Sequence, residues 1–210
     1  MGWLPQTRHV GCRQIRSLDV VDSAMSFPDT FATARLCAQR LEPRHVAEIL
    51  RMHEDPVQMA TLGGVRDGTQ TAEYMDRNLR HWAEFGFGVW ILRDLDSNEV
   101  AGRALLRHVE LNGHDEVEVG YSFHPQFWGR GFATEIAQAC VNCGRDILRL
   151  PSIVALTLPN NLGSQRVMTK VGMVFEREIT HEGLLHVLFR FRSHLDRSRS
   201  DEGAHRTEHG

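Results

Sequence analysis

The stretch Glu116-Val117-Glu118-Val119-Gly120-Tyr121-Ser122-Phe123-His124-Pro125-Gln126-Phe127-Trp128-Gly129-Arg130-Gly131-Phe132-Ala133-Thr134-Glu135 reads as a strand, a tight turn and the start of a helix. Polar and apolar residues alternate from Glu116 to Phe123, the period-2 signal of a half-buried strand. Pro125 offers no N–H to a ladder and ends it. Gly129 and Gly131 free the backbone for a turn that side chains would crowd, and a helical pattern follows directly. Such a turn leaves backbone N–H groups unpaired at the positive end of a helix dipole, a natural seat for phosphate. The expectation is a pyrophosphate-bearing ligand at this turn.

On the C-terminal side, Ile136, Ala139, Cys140, Cys143 and Ile147 recur at helical spacing until Pro151 stops the helix. Ile153 to Leu158 is a short apolar run, as expected of a strand buried on both faces. A short helix from Gly163 or Ser164 ends at Gly172, and Met173 to Thr180 and Leu185 to Arg192 read as two strands around a Glu182-Gly183 turn. On the N-terminal side, Thr33 to Leu41 reads as a first strand and Pro43 opens a helix that Asp55-Pro56 ends. A loop at Gly63 to Gly68 leads to a second helix capped by Thr69 or Thr71, with Glu73 in its first turn. Val89 to Arg93 and Val100 to Val109 form a hairpin, with a turn at Asn112 to Asp115 into the opening stretch. The order is one strand, two helices, three strands, a helix, a strand, a helix and two strands. It predicts an α/β domain over residues 30–192 with a mixed sheet, preceded by an extension (1–29) holding a short helix around Ile15 to Val21. A disordered polar tail (193–210) follows it.

The 210 residues carry a net charge of −3, with 41% apolar and 24% charged residues, which is ordinary for a soluble globular protein. That balance argues against direct nucleic-acid binding and against anionic membranes. No apolar run approaches the length of a membrane span, and Met1 to His9 lacks the apolar block of a signal peptide. Of Cys12, Cys37, Cys140 and Cys143, only the last two form a C-x-x-C, on the helix face shared with Ile136 and Ile147. No second ligand pair sits at matching spacing, so the thiols read as buried core in a reduced, cytoplasmic protein and no metal is expected.

Three phosphate-binding motifs compete for the glycine turn. A dinucleotide fingerprint would need a third glycine where Thr134 stands, and an acidic residue about 20 positions on, where Leu150 to Leu158 has none. A Walker A string does not occur. Gln126-Phe127-Trp128-Gly129-Arg130-Gly131, in contrast, matches in full the [RQ]-x-x-G-x-[GA] signature of the GNAT superfamily of N-acetyltransferases. Asn161-Leu162-Gly163-Ser164-Gln165-Arg166-Val167 through Gly172-Met173 resembles a segment of the RimJ/RimL-like, ribosomal-protein-alanine N-acetyltransferase-like branch. Glu118 to Tyr121, Trp128 to Glu135, Thr33 to Leu36 and Gly86 to Trp90 resemble the same branch, so the likeness spans residues 31 to 192.

The resemblance implies a GNAT-like, mostly antiparallel splayed sheet of about seven strands flanked by about four helices. It implies direct transfer of an acetyl group from acetyl-CoA to a primary amine, on a protein N-terminus or a small molecule. The pantetheine arm would pair with the backbone of Tyr121, Ser122 and Phe123. The turn of Phe127, Trp128, Gly129, Arg130, Gly131 and Phe132 would offer N–H groups to the pyrophosphate with Arg130 adding charge, and Gln126 and Ala133 would flank them in the donor site. Asn161 and Ser164 would complete the donor site. Glu118 is the first choice for the base, with Glu116 second and His124 as a proton shuttle. The Phe123 N–H is the oxyanion donor if the strand bulges there. Where many relatives place a tyrosine that protonates the leaving thiolate, this chain has Met168, so the role passes to Ser164, which otherwise reads as a helix cap. The acceptor pocket would be bounded by the first two helices and the loop from Thr61 to Gly68, the hairpin near Asn112 and the last two strands. Trp82, Phe85, Phe87, Trp90 and Trp128 would be its aromatic neighbourhood, and Asp67, Glu110 and Asp115 its acids. The expected partners are acetyl-CoA and an amine, with the chain a monomer or homodimer. The competing class is an acyl-CoA sensor that binds without turnover.

Overall fold

The computed structural model describes residues 28–193. The expected helix at Ile15 to Val21, most of the extension and the tail from residue 194 lie outside the described residues. In chain order the elements are β1 (Thr30–Ala32), β2 (Leu36–Arg40), α1 (Val46–Glu54), α2 (Pro56–Met59), α3 (Gly68–Phe85), β3 (Val89–Asp94), β4 (Val100–Leu111), β5 (His114–Phe123), α4 (Phe132–Asp146), β6 (Ser152–Thr157), α5 (Leu162–Lys170), β7 (Val174–His181) and β8 (Leu184–Arg192). The strands make one sheet in the order β1-β2-β3-β4-β5-β6-β8-β7. Every pairing is antiparallel except β5 with β6, which the α4 crossover makes parallel.

Among the described residues there are eight strands rather than about seven, and five α-helices rather than about four. The extra strand arises because the run expected as one strand turns at residues 33–35, where Thr33 N–H and hydroxyl both reach the Leu36 carbonyl. The extra helix arises because Asp55-Pro56 ends α1 and at once starts α2. The Asp55 carboxylate accepts from Val57 and Gln58 N–H, and proline suits the first helical position. The start of α3 also differs from expectation. Its cap is Asp67, in a reciprocal capping box with Gln70, whereas Thr71 lies buried inside the helix and hydrogen-bonds His53. Asp67→Ala should therefore lower stability by about 0.5–2 kcal/mol in denaturant titration, and Thr69→Ala by much less.

Two faces of the sheet carry different chemistry. In the β4–β5 register Arg103 stands opposite Ser122 and Arg107 opposite Glu118, so these four side chains share a face. That face meets α1, α2 and α3, through Arg103 against Tyr74 and Ser122 against Gln58. Tyr121 and Phe123 lie on the other face, against α4 and α5. The core includes Trp82, whose indole N–H donates to the Val89 carbonyl, and Ile136, Val119 and Ile153 under α4. The turn at Arg35 is clamped to α4 by Glu135, which takes hydrogen bonds from Thr33 and from the Arg35 backbone and guanidinium. Burial alone would raise the Glu135 carboxyl, but these bonds outweigh it and hold it below the usual range.

Candidate active site

Between β5 and β6 the paired register is confined to Glu118 with Val154, and beyond it the two strands part. β5 continues in unbroken register with β4 to Gly102–Phe123, so the expected bulge is absent. It is not needed. The His124 N–H donates to the Ala101 carbonyl at 2.9 Å. In an antiparallel ladder alternate residues face opposite sides, so the N–H and C=O groups of Phe123 and Tyr121 point away from β4, into the gap. The Phe123 carbonyl is taken by the Trp128 indole at 2.8 Å, leaving its N–H toward the gap.

The gap opens into a cavity of about 1390 Å³ that runs from the glycine turn past β5 to the β7–β8 turn. At the turn Gly129 and Gly131 both adopt left-handed φ, +74° and +80°, and α4 starts at Phe132 with no side chain capping it. Its first N–H groups are thus left for a ligand. Phe127, Trp128, Gly129, Gly131, Phe132, Ala133 and Thr134 line the cavity here. Two expected ligand residues do not. Gln126 is exposed and outside the lining. The Arg130 guanidinium pairs at 2.9 Å with the buried Asp94 carboxylate and lies over the Phe127 and Phe132 rings, so it braces the turn from behind. His124 is also absent from the lining.

Glu118 lines the cavity and is buried. Its Oε2 accepts from Arg107 Nε and NH2, both at 2.9 Å, while Oε1 has no hydrogen bond among the described residues. Glu116 is elsewhere. Arg190 grips it with two 2.8 Å hydrogen bonds and also binds Glu176 and Ser152, a cluster outside the cavity. Across the gap, Ser164 does not cap α5. Asn161 does, accepting from the Ser164 N–H at 3.1 Å. The Ser164 hydroxyl instead meets the Tyr121 hydroxyl at 3.0 Å. Burial pushes the Tyr121 phenol up to about 12, against the opposing pull of that hydrogen bond. Met168, four residues after Ser164 in α5, is buried. A phenol is therefore present at the helix, supplied from β5 instead of from α5.

A splayed strand pair with an uncapped glycine turn at its mouth is the acyl-CoA geometry, and residues 35–174 match the acetyltransferase (GNAT) domain family. The chain belongs to the GNAT family. It is an acyltransferase of the N-acetyltransferase class and uses acetyl-CoA. It is 30% identical over 156 residues to the uncharacterized protein YkkB of Bacillus subtilis (strain 168), covering 74% of this chain and 91% of that one. The fold is shared with an acetyltransferase from Agrobacterium tumefaciens str. C58, at a TM-score of 0.70 and 23% identity, covering 83% of this chain and 99% of that one. It is shared too with RimL, a ribosomal L7/L12 α-N-protein acetyltransferase solved with coenzyme A, at a TM-score of 0.62 and 16% identity, covering 76% and 95%.

The acceptor end of this GNAT cavity differs from expectation. Trp82, Phe87 and Trp90 are core, and neither they nor Phe85 line it; of the five aromatics only Trp128 does. Asp67, Glu110, Asp115 and the Asn112 hairpin are also outside it. Of the expected boundary, the loop after Thr61, α3 and the last two strands line it, through Arg66, Tyr74, Arg77 and Glu182, and Gln58 of α2 and Arg103 of β4 join them. Gln58 donates to Ser122 Oγ at 2.8 Å, but among the described residues its buried Oε1 has no partner, and the buried Tyr74 hydroxyl has none either. They come from α2, the loop before α3, α3, β4 and the β7–β8 turn, and no local pattern in sequence marks them, because it is the tertiary fold that gathers them. Cys140 and Cys143 are buried in α4, and burial raises both thiols, Cys143 to about 12, which keeps them protonated. Among the described residues no group of three or more His, Cys, Asp or Glu is placed to hold a metal, and no helix is long and apolar enough to cross a membrane.

Proposed function

We propose that this GNAT chain transfers acetyl from acetyl-CoA directly to a primary amine, in the manner of the RimJ/RimL-like branch and in the cytoplasm. The observation that carries the reading is the open edge of β5, with the N–H groups of Tyr121 and Phe123 facing a gap that leads straight to the Gly129–Gly131 turn. The pantetheine arm lies along that edge, and the pyrophosphate sits on the first N–H groups of α4. Glu118 takes the amine proton through Oε1 or a water on it. The Phe123 N–H stabilises the tetrahedral oxyanion. The Tyr121–Ser164 pair hydrogen-bonds the leaving thiolate. Base and thiolate donor thus stand on opposite faces of the sheet, and the parting of β5 from β6 lets one substrate complex reach both.

The test is direct. Acetyl-CoA should raise Tm, and Gly129→Val and Gly131→Val should erase that rise, since each places a β-branched residue at a left-handed φ on the phosphate turn. An undiminished shift in both variants overturns the binding model. Release of free CoA thiol in the presence of amines separates a transferase from a sensor, which binds and releases none.

A further inference from the structure

We infer that the acceptor is a small amine that also carries an anionic group, a carboxylate or a phosphoryl, held by Arg103, Arg66 and Arg77 around the Tyr74 ring. The inference rests on the acetyltransferase reading of the same cavity and specifies its substrate. The guanidinium carbons of Arg103, Arg66 and Arg77 lie 4.6, 5.9 and 5.9 Å from the centre of that one ring. Arg103 is only 7% exposed, yet among the described residues it makes no ion pair with a carboxylate. Its one hydrogen-bond partner among the described residues is His53 Nε2, at 3.4 Å. Burying a cation without a counter-ion is costly, so such a group is a site awaiting an anion.

The surroundings sharpen this. His53 is fully buried, and burial, then Arg103 and Arg66, push it down to about 3, so it is neutral and lends Arg103 a lone pair instead of a charge. Burial and the like charge of Arg103 also lower Arg66, a crowding that a bound anion would relieve. Among the described residues Arg66 otherwise hydrogen-bonds only the Leu62 carbonyl, at 3.4 Å. Of the carboxylates in the lining, Glu118 is taken by Arg107, which leaves Glu182 alone against Arg66, Arg77 and Arg103 at this end, with Arg166 and Lys170 further along the cavity. The unpartnered Tyr74 hydroxyl can donate to an anion, and the unpartnered Gln58 Oε1 can accept from an ammonium. A polyamine meets net repulsion here.

Spacing favours one small molecule. Arg103 and the Arg107–Glu118 pair share a strand face four residues apart, about 13 Å of backbone, which their long side chains shorten from both ends. Anion and amine then sit a few bonds apart in the ligand.

Thiol release from acetyl-CoA would be measured with matched amines: β-alanine against propylamine, O-phosphoethanolamine against ethanolamine, spermidine, and a neutral peptide. The first two pairs separate carboxylate from phosphoryl. We expect the anionic member of at least one pair to have a kcat/KM about 10- to 100-fold higher than its partner, as for a hydrogen-bonded charge pair. Arg103→Met should erase that preference, the exposed Arg77→Met should reduce it severalfold without risk to folding, and acetyl-CoA affinity should be kept in both. In parallel, inorganic phosphate and glutarate should raise the Tm of the CoA-loaded protein, and less so that of Arg103→Met. Turnover of spermidine, the peptide or the neutral amines without an anionic preference overturns the inference and leaves the transferase standing. Anion binding without thiol release from any amine supports the anion site and overturns the transferase reading. Neither signal overturns both.

Discussion

Glu118→Gln is expected to lower kcat by about 10²- to 10³-fold while the acetyl-CoA-induced rise in Tm is kept, within the range that general acid–base groups contribute. The argument is geometric. Glu118 is the carboxylate on the α1–α3 side of β5 at the last residue before the strands part, and Arg107 occupies Oε2 only. Glu118 lines the cavity, its Oε1 has no hydrogen-bond partner among the described residues, and Glu182 is the one other carboxylate of the lining. Arg107 stays charged, raised chiefly by Glu118 itself, so it fixes the carboxylate in place without offering a proton. Glutamine keeps the shape and an acceptor for Arg107 but cannot take a proton from an ammonium. Glu116→Gln is the control. Glu116 belongs to the Arg190 cluster, so its loss should weaken folding and spare kcat. In that cluster Glu176 is held below the usual carboxylate range by its hydrogen bonds from Arg190, with burial opposing. A depressed folded value means the stabilisation is whole above the unfolded value of about 4.3 and drains away as pH falls below it, so the cluster should be lost only in acid. Full turnover in Glu118→Gln across pH, or equal losses in both glutamine variants, would remove the assignment.

What could be read in sequence was what the chain does locally. The strand ending at Pro125, the turn on Gly129 and Gly131, and the long helix behind it are set by alternation, by φ and by 3.6-residue spacing, all visible in neighbouring residues. Their structure follows that reading closely, from β5 at His114–Phe123 to α4 at Phe132–Asp146. The errors came where distant segments compete for the same residue. Asp67 outbids Thr69 and Thr71 as a cap because Gln70 can reciprocate and because His53 draws Thr71 into the core. Arg130 matches the phosphate-turn signature, yet the buried Asp94 claims it from 36 residues away in the chain. Phe123 needed no bulge, since which side its N–H faces is fixed by the parity of pairing with β4, and parity cannot be read from one strand. The acceptor end was the least legible. Arg103, Tyr74 and Gln58 come from three elements, and each alone is an ordinary residue on an amphipathic strand or helix.

The same parity bears on the leaving group. Tyr121 is one residue from Ser122 and three from Glu118, but it faces α5, where its hydroxyl meets Ser164 Oγ at 3.0 Å and the Ser164 carbonyl at 3.3 Å. If the phenol donates to that carbonyl, the serine hydroxyl is free to donate; if it donates to the serine oxygen, the serine passes its own proton onward. Either way the pair presents a donor to the gap while remaining satisfied behind it. With the phenol near 12 and an ordinary thiol near 8.5, complete proton transfer to the thiolate is uphill by roughly 5 kcal/mol. On the proposed reading the pair would stabilise the leaving thiolate by hydrogen bonding, and the proton that ends on sulfur would originate with the amine. Tyr121→Phe and Ser164→Ala should each lower kcat by about 10- to 100-fold, the loss of one charge-assisted hydrogen bond. Because both act through one network, the double variant should be scarcely worse than either single one, with a coupling of about 1–3 kcal/mol in the kinetic cycle. Asn161→Ala, which removes the real cap, should instead cost about 0.5–2 kcal/mol of stability. A fall in Tm for Ser164→Ala with kcat intact, or strictly additive losses in the double variant, would show that Tyr121 and Ser164 serve packing alone.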